Sequence, residues 1–241
     1  MIYVYENSFE GYLSAVFEIY LQKDFGAMLE NAGEGVGGLD NICLVQPSVE
    51  RARRVTKGLE ALSTLLPGTL YRAWLSREAD ADVAVLRVIR RAFAEHRNPL
   101  SEKYDLAMRR VCDLSRKVSE EAERTRQFVR FSVHSSGLMV ADIEPQYDVL
   151  HLVAGHFCGR YPSQPFMIRD LRRKKTLLWD TRERSVSDDP ILLRPHLPPD
   201  REFAELWKQY FRAVAIPERV NPKRQQHFVP LKYRAHMTEM Q

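Results

Sequence analysis

Residues 128–180 read FVRFSVHSSGLMVADIEPQYDVLHLVAGHFCGRYPSQPFMIRDLRRKKTLLWD. The first part alternates around Ser135-Ser136-Gly137, a connection that suits a β-hairpin with glycine in the left-handed position. That register opposes residue 132 with 140, 130 with 142 and 128 with 144. The intervening pairs, Val133/Met139, Phe131/Ala141 and Val129/Ile143, are apolar and share one face. On the other face Arg130 stands opposite Asp142, a favourable cross-strand charge pair. Asp148 then caps a helix over about 149–160, with Leu150, Val153, Ala154 and Phe157 inward. Pro162 and Pro165 flank a turn, and residues 166–180 form a second hairpin with the tip Arg172-Arg173-Lys174-Lys175. Two hairpins joined by a helix predict an α+β fold, an antiparallel sheet with helices packed on it.

Outward from this stretch, the N-terminal half reads as mainly helical. Residues 2–5 (IYVY) form a short strand, and Ser8 caps a helix to about Gln22 with Phe9, Tyr12, Leu13, Val16, Phe17 and Tyr20 on one stripe. A glycine-rich loop (AGEGVGGLDN, 32–41) precedes a strand at 42–46. A dinucleotide fingerprint would follow a strand and open a helix, so the loop reads as a connector rather than a phosphate cradle. Pro47-Ser48 begins a helix to about Leu65, which Pro67-Gly68 stops. A short segment follows over 69–76, then a helix to about His96 capped by Asp80 or Asp82, and a long helix over 102–127 with Tyr104, Ala107, Met108, Val111, Leu114 and Val118 toward the core. After the second hairpin come a proline-rich connector (190–199), a helix over about 200–214 and a tail. The whole of 1–241 reads as one domain, with a mainly helical sub-region over 1–127 and hairpins, helix and tail over 128–241.

The chain has 241 residues, 44% of them hydrophobic and 28% charged, an ordinary globular mixture. No apolar run approaches the roughly 18 residues of a membrane span. The acidic, aromatic N-terminus lacks the basic and apolar regions of a signal peptide. Three scattered cysteines (Cys43, Cys112, Cys158) imply reduced thiols, so a cytoplasmic setting is expected. Net charge is +4, but residues 1–45 hold one basic residue, Lys23, against seven acidic ones. The rest of the chain is therefore distinctly basic, the electrostatic footprint of a nucleic-acid binder.

Candidate sites follow from residue type. Four adjacent cations, Arg172, Arg173, Lys174 and Lys175, repel one another unless phosphate or acidic groups lie near, and their functional reading is contact with a nucleic-acid backbone. The tail mixes Lys223, Arg224, Lys232 and Arg234 with His227, Phe228 and Tyr233, a pattern that suits phosphate contact with base stacking, or a tail packed over the core. No metal-ligand spacing is present, and no cofactor or metal is expected. Cys158 reads as a buried, inert thiol beside His156, and Asp142 with Glu144 as a structural ion-pair face.

Three blocks, YENSFEGYLSAVFEIY (5–20), DIEPQYDVLHLVAGHFCGRYPSQPFMIRDL (142–171) and HFVPLKYRAHMTEM (227–240), together resemble a bacterial family of unknown function assigned to DNA metabolism or DNA repair. The resemblance runs from residue 3 to 240. It rests on Ser8, Phe9 and Gly11, then Glu144, Pro145, Tyr147, Asp148, His156, Phe157, Arg160, Pro165 and Asp170, then Pro230, Tyr233, His236 and Glu239. In that family the gene accompanies a radical SAM protein, and some longer relatives carry a uracil-DNA-glycosylase-like domain that this chain is not expected to hold. The resemblance implies a protein that binds DNA and acts with a radical SAM partner. It assigns no catalytic residue. Glu144, Asp148 and Glu239 with His236 are the acid–base candidates if the protein is instead an enzyme acting on damaged or modified DNA. A third reading is a non-catalytic interaction module whose acidic N-terminal segment docks a basic partner.

Overall fold

A computed structural model of the protein describes residues 1–32, 41–102, 104–133, 137–188, 208–209, 228–237 and 240. Expectations for the glycine-rich loop, the connector at 190–199 and most of the helix at 200–214 lie outside these residues. The chain forms two compact units, Met1–Ser119 and Glu120–Gln241. The architecture is α+β, with a helical N-terminal half and most strands in the C-terminal half.

In the first unit, β1 (Ile2–Tyr5) is the centre of a three-stranded parallel sheet in the order β2-β1-β3, with β2 at Met28–Asn31 and β3 at Ile42–Val45. Tyr3, Val4 and Tyr5 are all buried. That explains why IYVY shows no polar alternation: a strand of a parallel sheet is covered on both faces. β2 is a strand the sequence reading missed. Helix α1 (Phe9–Leu21) connects β1 to β2 and packs on β1 and on α2 (Val49–Leu62). Ser8 and Ser48 cap these helices, their hydroxyls accepting the N–H of Gly11 at 2.9 Å and of Arg51 at 3.4 Å. Pro67 does not end a helix as expected. It opens α3 (Leu66–Trp74), because a first-turn proline forfeits no intrahelical hydrogen bond.

Helix α4 (Ala81–Glu95) follows Asp80, whose carboxylate does not cap it. Asp80 instead receives two hydrogen bonds from Arg110 at 2.8 and 2.7 Å, and Asp82 accepts one from the Tyr5 hydroxyl. A 3-10 turn at Pro99–Ser101 leads to α5 (Leu106–Phe128), within which the unit boundary falls. Met108, Val111, Leu114 and Val118 are buried as expected, but Tyr104 precedes the helix and is exposed.

The second unit holds a five-stranded sheet in the order β4-β5-β6-β7-β8, made of β4 (Ser132–Val133), β5 (Met139–Ile143), β6 (Phe166–Asp170), β7 (Lys175–Trp179) and β8 (Arg184–Ser187). The first hairpin has the expected register, Ser132 opposite Val140 and Val133 opposite Met139, and Gly137 has φ +82°. Its ladder is shorter than expected because α5 continues through Phe128, where the reading began a strand. The second hairpin pairs β6 with β7. The sheet as a whole is mixed rather than antiparallel. Helix α6 (Leu150–Arg160) carries the chain back across the sheet, so β6 runs parallel to β5. β8, the far edge, went unread. Asp148 does not cap α6, whose first turn has no side-chain cap. A one-turn helix, α7 (Leu231–Arg234), lies in the tail. Among the described residues no helix is long and apolar enough to cross a membrane.

Candidate nucleic-acid interface

The second unit carries a groove of about 580 Å³ where the end of α5, the first hairpin and the end of α6 meet. Three arginines line it, Arg126, Arg130 and Arg160, with His156, Gln127 and the rings of Phe131, Phe157 and Tyr161. Among the described residues that line it there is no carboxylate. The rings are held by one another. Phe131 meets Phe157, Tyr161 and Phe166 at centroid distances of 5.4, 5.5 and 5.5 Å, all edge-on. Phe157 and Phe166 are buried, whereas Phe131 and Tyr161 are half-buried. Edge-to-face clusters of this kind are rigid, so the outer rings form a wall ordered by the core behind it.

The cations are held as well. Arg126 donates to Glu123 at 2.6 Å and to the Leu152 carbonyl at 3.2 Å, and its Nε is buried without a hydrogen-bond partner. Arg130 donates to the Gln127 and Val129 carbonyls at 3.0 and 3.2 Å. Arg160 lies 5.8 Å from the Tyr161 ring centroid and is exposed. None of these arginines is a binding candidate from sequence, where Arg160 lies 30 residues from Arg130. The signal that could have found them is their place at the ends of two helices beside aromatic residues.

The basic hairpin tip is largely tied down by acids. Asp170, fully buried, accepts the backbone N–H groups of Arg172 and Arg173 at 3.0 and 3.1 Å, a side-chain turn that lets Lys174 take φ +55°. Arg173 folds back onto Asp170 and the Pro145 carbonyl, both at 3.0 Å, and onto the Gln146 carbonyl at 2.5 Å. Lys175 pairs with Asp148 at 3.4 Å. Arg172 and Lys174 remain exposed. Burial pushes the Asp170 carboxyl up from its ordinary value, and Arg173 partly offsets that.

The described part of the tail packs on the unit rather than standing free. Lys232 grips Glu121 at 2.8 and 2.7 Å, Tyr233 rests on Phe128 with centroids 5.1 Å apart, and Met237 is buried. Arg234 donates from Nε to the Val229 carbonyl at 3.1 Å. Burial first, and then the Glu121 charge, raise the Tyr233 phenol well above its ordinary pKa. Lys223, Arg224 and Glu239 lie outside the described residues.

Of the acid–base candidates, the structure brings two together. His236 Nε2 lies 3.2 Å from Glu144 Oε1, at a small crevice also lined by Asp142 and Tyr233. Asp148 is apart from them, buried against Lys175 with Oδ1 unpartnered. Asp142 takes a bidentate pair from Arg169 of the neighbouring strand, at 2.6 and 2.7 Å. The hairpin register places Arg130 in that role, but the β4–β5 ladder covers only Ser132 and Val133, and the parallel partner β6 sets Arg169 opposite Asp142 instead. Cys158 is half-buried rather than buried, and desolvation raises its thiol pKa. Among the described residues no group of three or more His, Cys, Asp or Glu side chains is placed to hold a metal.

Residues 79–239 match DUF4130, a domain of unknown function. The chain belongs to this family. No curated protein and no solved structure matches the chain. The DUF4130 match covers α4, α5 and the groove, tip and crevice of the second unit, and excludes the parallel sheet of β1, β2 and β3.

Proposed function

We propose that this DUF4130 protein binds DNA through its second unit and serves DNA metabolism or repair beside a radical SAM partner. The observation that carries the reading is the groove, with three guanidinium groups, ordered aromatic rings and, among the described lining residues, no carboxylate. Clustered cations attract phosphate, and partly exposed rings offer a base a stacking surface. The basic balance of the chain and the three sequence blocks point the same way. Phosphate contact releases counterions, so affinity for labelled DNA should fall steeply with salt. Arg160→Ala should flatten the slope of log K against log[salt] by about 1, roughly one phosphate contact. Fluorescence anisotropy over a salt series measures this, and an absence of binding at low salt would reject the reading. Co-elution of the two purified proteins, with and without DNA, tests the partnership.

A second reading has one specific support, the Glu144–His236 contact. A carboxylate that orients an imidazole is the arrangement a general base needs. It predicts turnover of a damaged or modified oligonucleotide by the protein alone, and an oligonucleotide panel left intact would remove it.

A further inference from the structure

The groove has the size of a small-molecule pocket. Ligand pockets span about 300–1,000 Å³. At about 580 Å³ it has room for a nucleotide. The lining separates into kinds that match the parts of a nucleotide. Phe131 and Tyr161 are rings already immobilised by Phe157 and Phe166, so stacking on them costs little ordering entropy. Gln127 and His156 supply polar groups suited to a base edge. Arg126, Arg130 and Arg160 supply positive charge. Glu123 pairs with Arg126 from outside the lining.

Resting on the DNA-binding reading, we infer that the groove holds a single unpaired nucleotide, its base against Phe131 and Tyr161 and its phosphate on the arginines. In a paired duplex both faces of every interior base are stacked and unavailable to the rings. The groove therefore selects single strands and bulged or extruded bases.

The test uses the full chain and three probes carrying 2-aminopurine at one position: a single strand, a fully paired duplex, and the same duplex with that base bulged. The single strand and the bulged duplex should bind on the order of tenfold more tightly than the paired duplex, with 2-aminopurine emission changing on binding. Tyr161→Leu should remove both the preference and the emission change, while Tyr161→Trp, which restores a ring, should keep them. A circular-dichroism melt shows that each variant is folded, and if Tyr161→Leu is not, the wild-type preference and the Tyr161→Trp result decide. Equal affinity for the three probes with unchanged emission would overturn the unpaired-nucleotide pocket and leave DNA binding standing. No binding of any probe at low salt would overturn the DNA-binding reading and this inference with it.

Discussion

The two units handle their carboxylates differently. In the first unit the described ion-paired carboxylates all keep some exposure, from 15% at Glu18 to 57% at Asp80. Asp80 and Asp113 have side-chain exposures of 57% and 37%, and they pair with Arg110, Arg116 and Lys117 on helix surfaces. In the second unit Asp170, Asp148 and Glu121 are 0%, 4% and 5% exposed, each with a cation partly drawn in after it. Exposed pairs contribute little because water screens both partners. A buried carboxylate is expensive to desolvate and becomes costlier still if its partner is removed. These three buried acids of the second unit organise the hairpin tip and anchor the tail. The groove of the same unit is lined, among the described residues, by arginines without acids.

The sharpest way to break this comparison is Asp170→Ala. It strips the acceptor from two backbone N–H groups and from Arg173, all gathered at the tip. The expected loss is about 3–5 kcal/mol, the usual cost of removing one partner of a buried pair. Urea unfolding would measure it, and a loss below about 1 kcal/mol would place Asp170 with the surface acids. Gly11→Ala comes next and probes the first unit by packing rather than charge. A Cβ there would sit 2.7 Å from the Glu6 carbonyl oxygen, and backbone must move to admit it. About 1–3 kcal/mol is expected, read from the same unfolding curve. Ser8→Ala removes the cap of the same helix and should cost about 1 kcal/mol. If it costs more than Gly11→Ala, the close approach at Gly11 is not what fixes the entry to α1.

These sites also show what the sequence makes legible. Ser8 and Ser48 were readable as caps because capping is a contact within one turn. The register of the first hairpin was readable because Gly137 and the period-2 pattern are local. Asp80 and Asp148 fit the same capping pattern, yet their carboxylates turn to Arg110 and Lys175, 30 and 27 residues away. Long-range charge partners override a local propensity, and one sequence does not reveal them. Strand direction failed for the same reason: local alternation marks a strand, but only the crossover through α6 sets β6 parallel to β5. The charges of the four-cation tip are adjacent in sequence and so legible there. The groove is not, because Arg160 and the rings of Phe157 and Tyr161 join Arg126 and Arg130 only in the fold.

The smallest expected effect, Asp80→Asn, sharpens the comparison by its sign. Hydrogen bonds from Arg110 hold the Asp80 carboxyl below its ordinary value. A lowered folded pKa contributes stability above the unfolded value, about 3.9, and that stability is lost as pH falls through the folded pKa. The variant should therefore be weaker than the wild type at pH 7 by under about 1 kcal/mol, discounted for exposure, and the difference should vanish at strongly acidic pH. Asp170 carries the opposite sign. Its raised pKa means the folded state holds a proton longer than the unfolded one, so the wild type loses stability as pH rises from about 4 through the raised value. Asp170→Asn, which keeps an oxygen for the Arg172 and Arg173 amides, should remove that loss. Urea midpoints of the wild type and the two variants at pH 3, 5 and 7 give both differences. Opposite slopes are expected, because one carboxylate is charged in water beside its arginine and the other is charged while buried at the end of the central strand β6. Slopes of the same sign would mean that the surrounding cations, and not burial, decide the ionisation of Asp170.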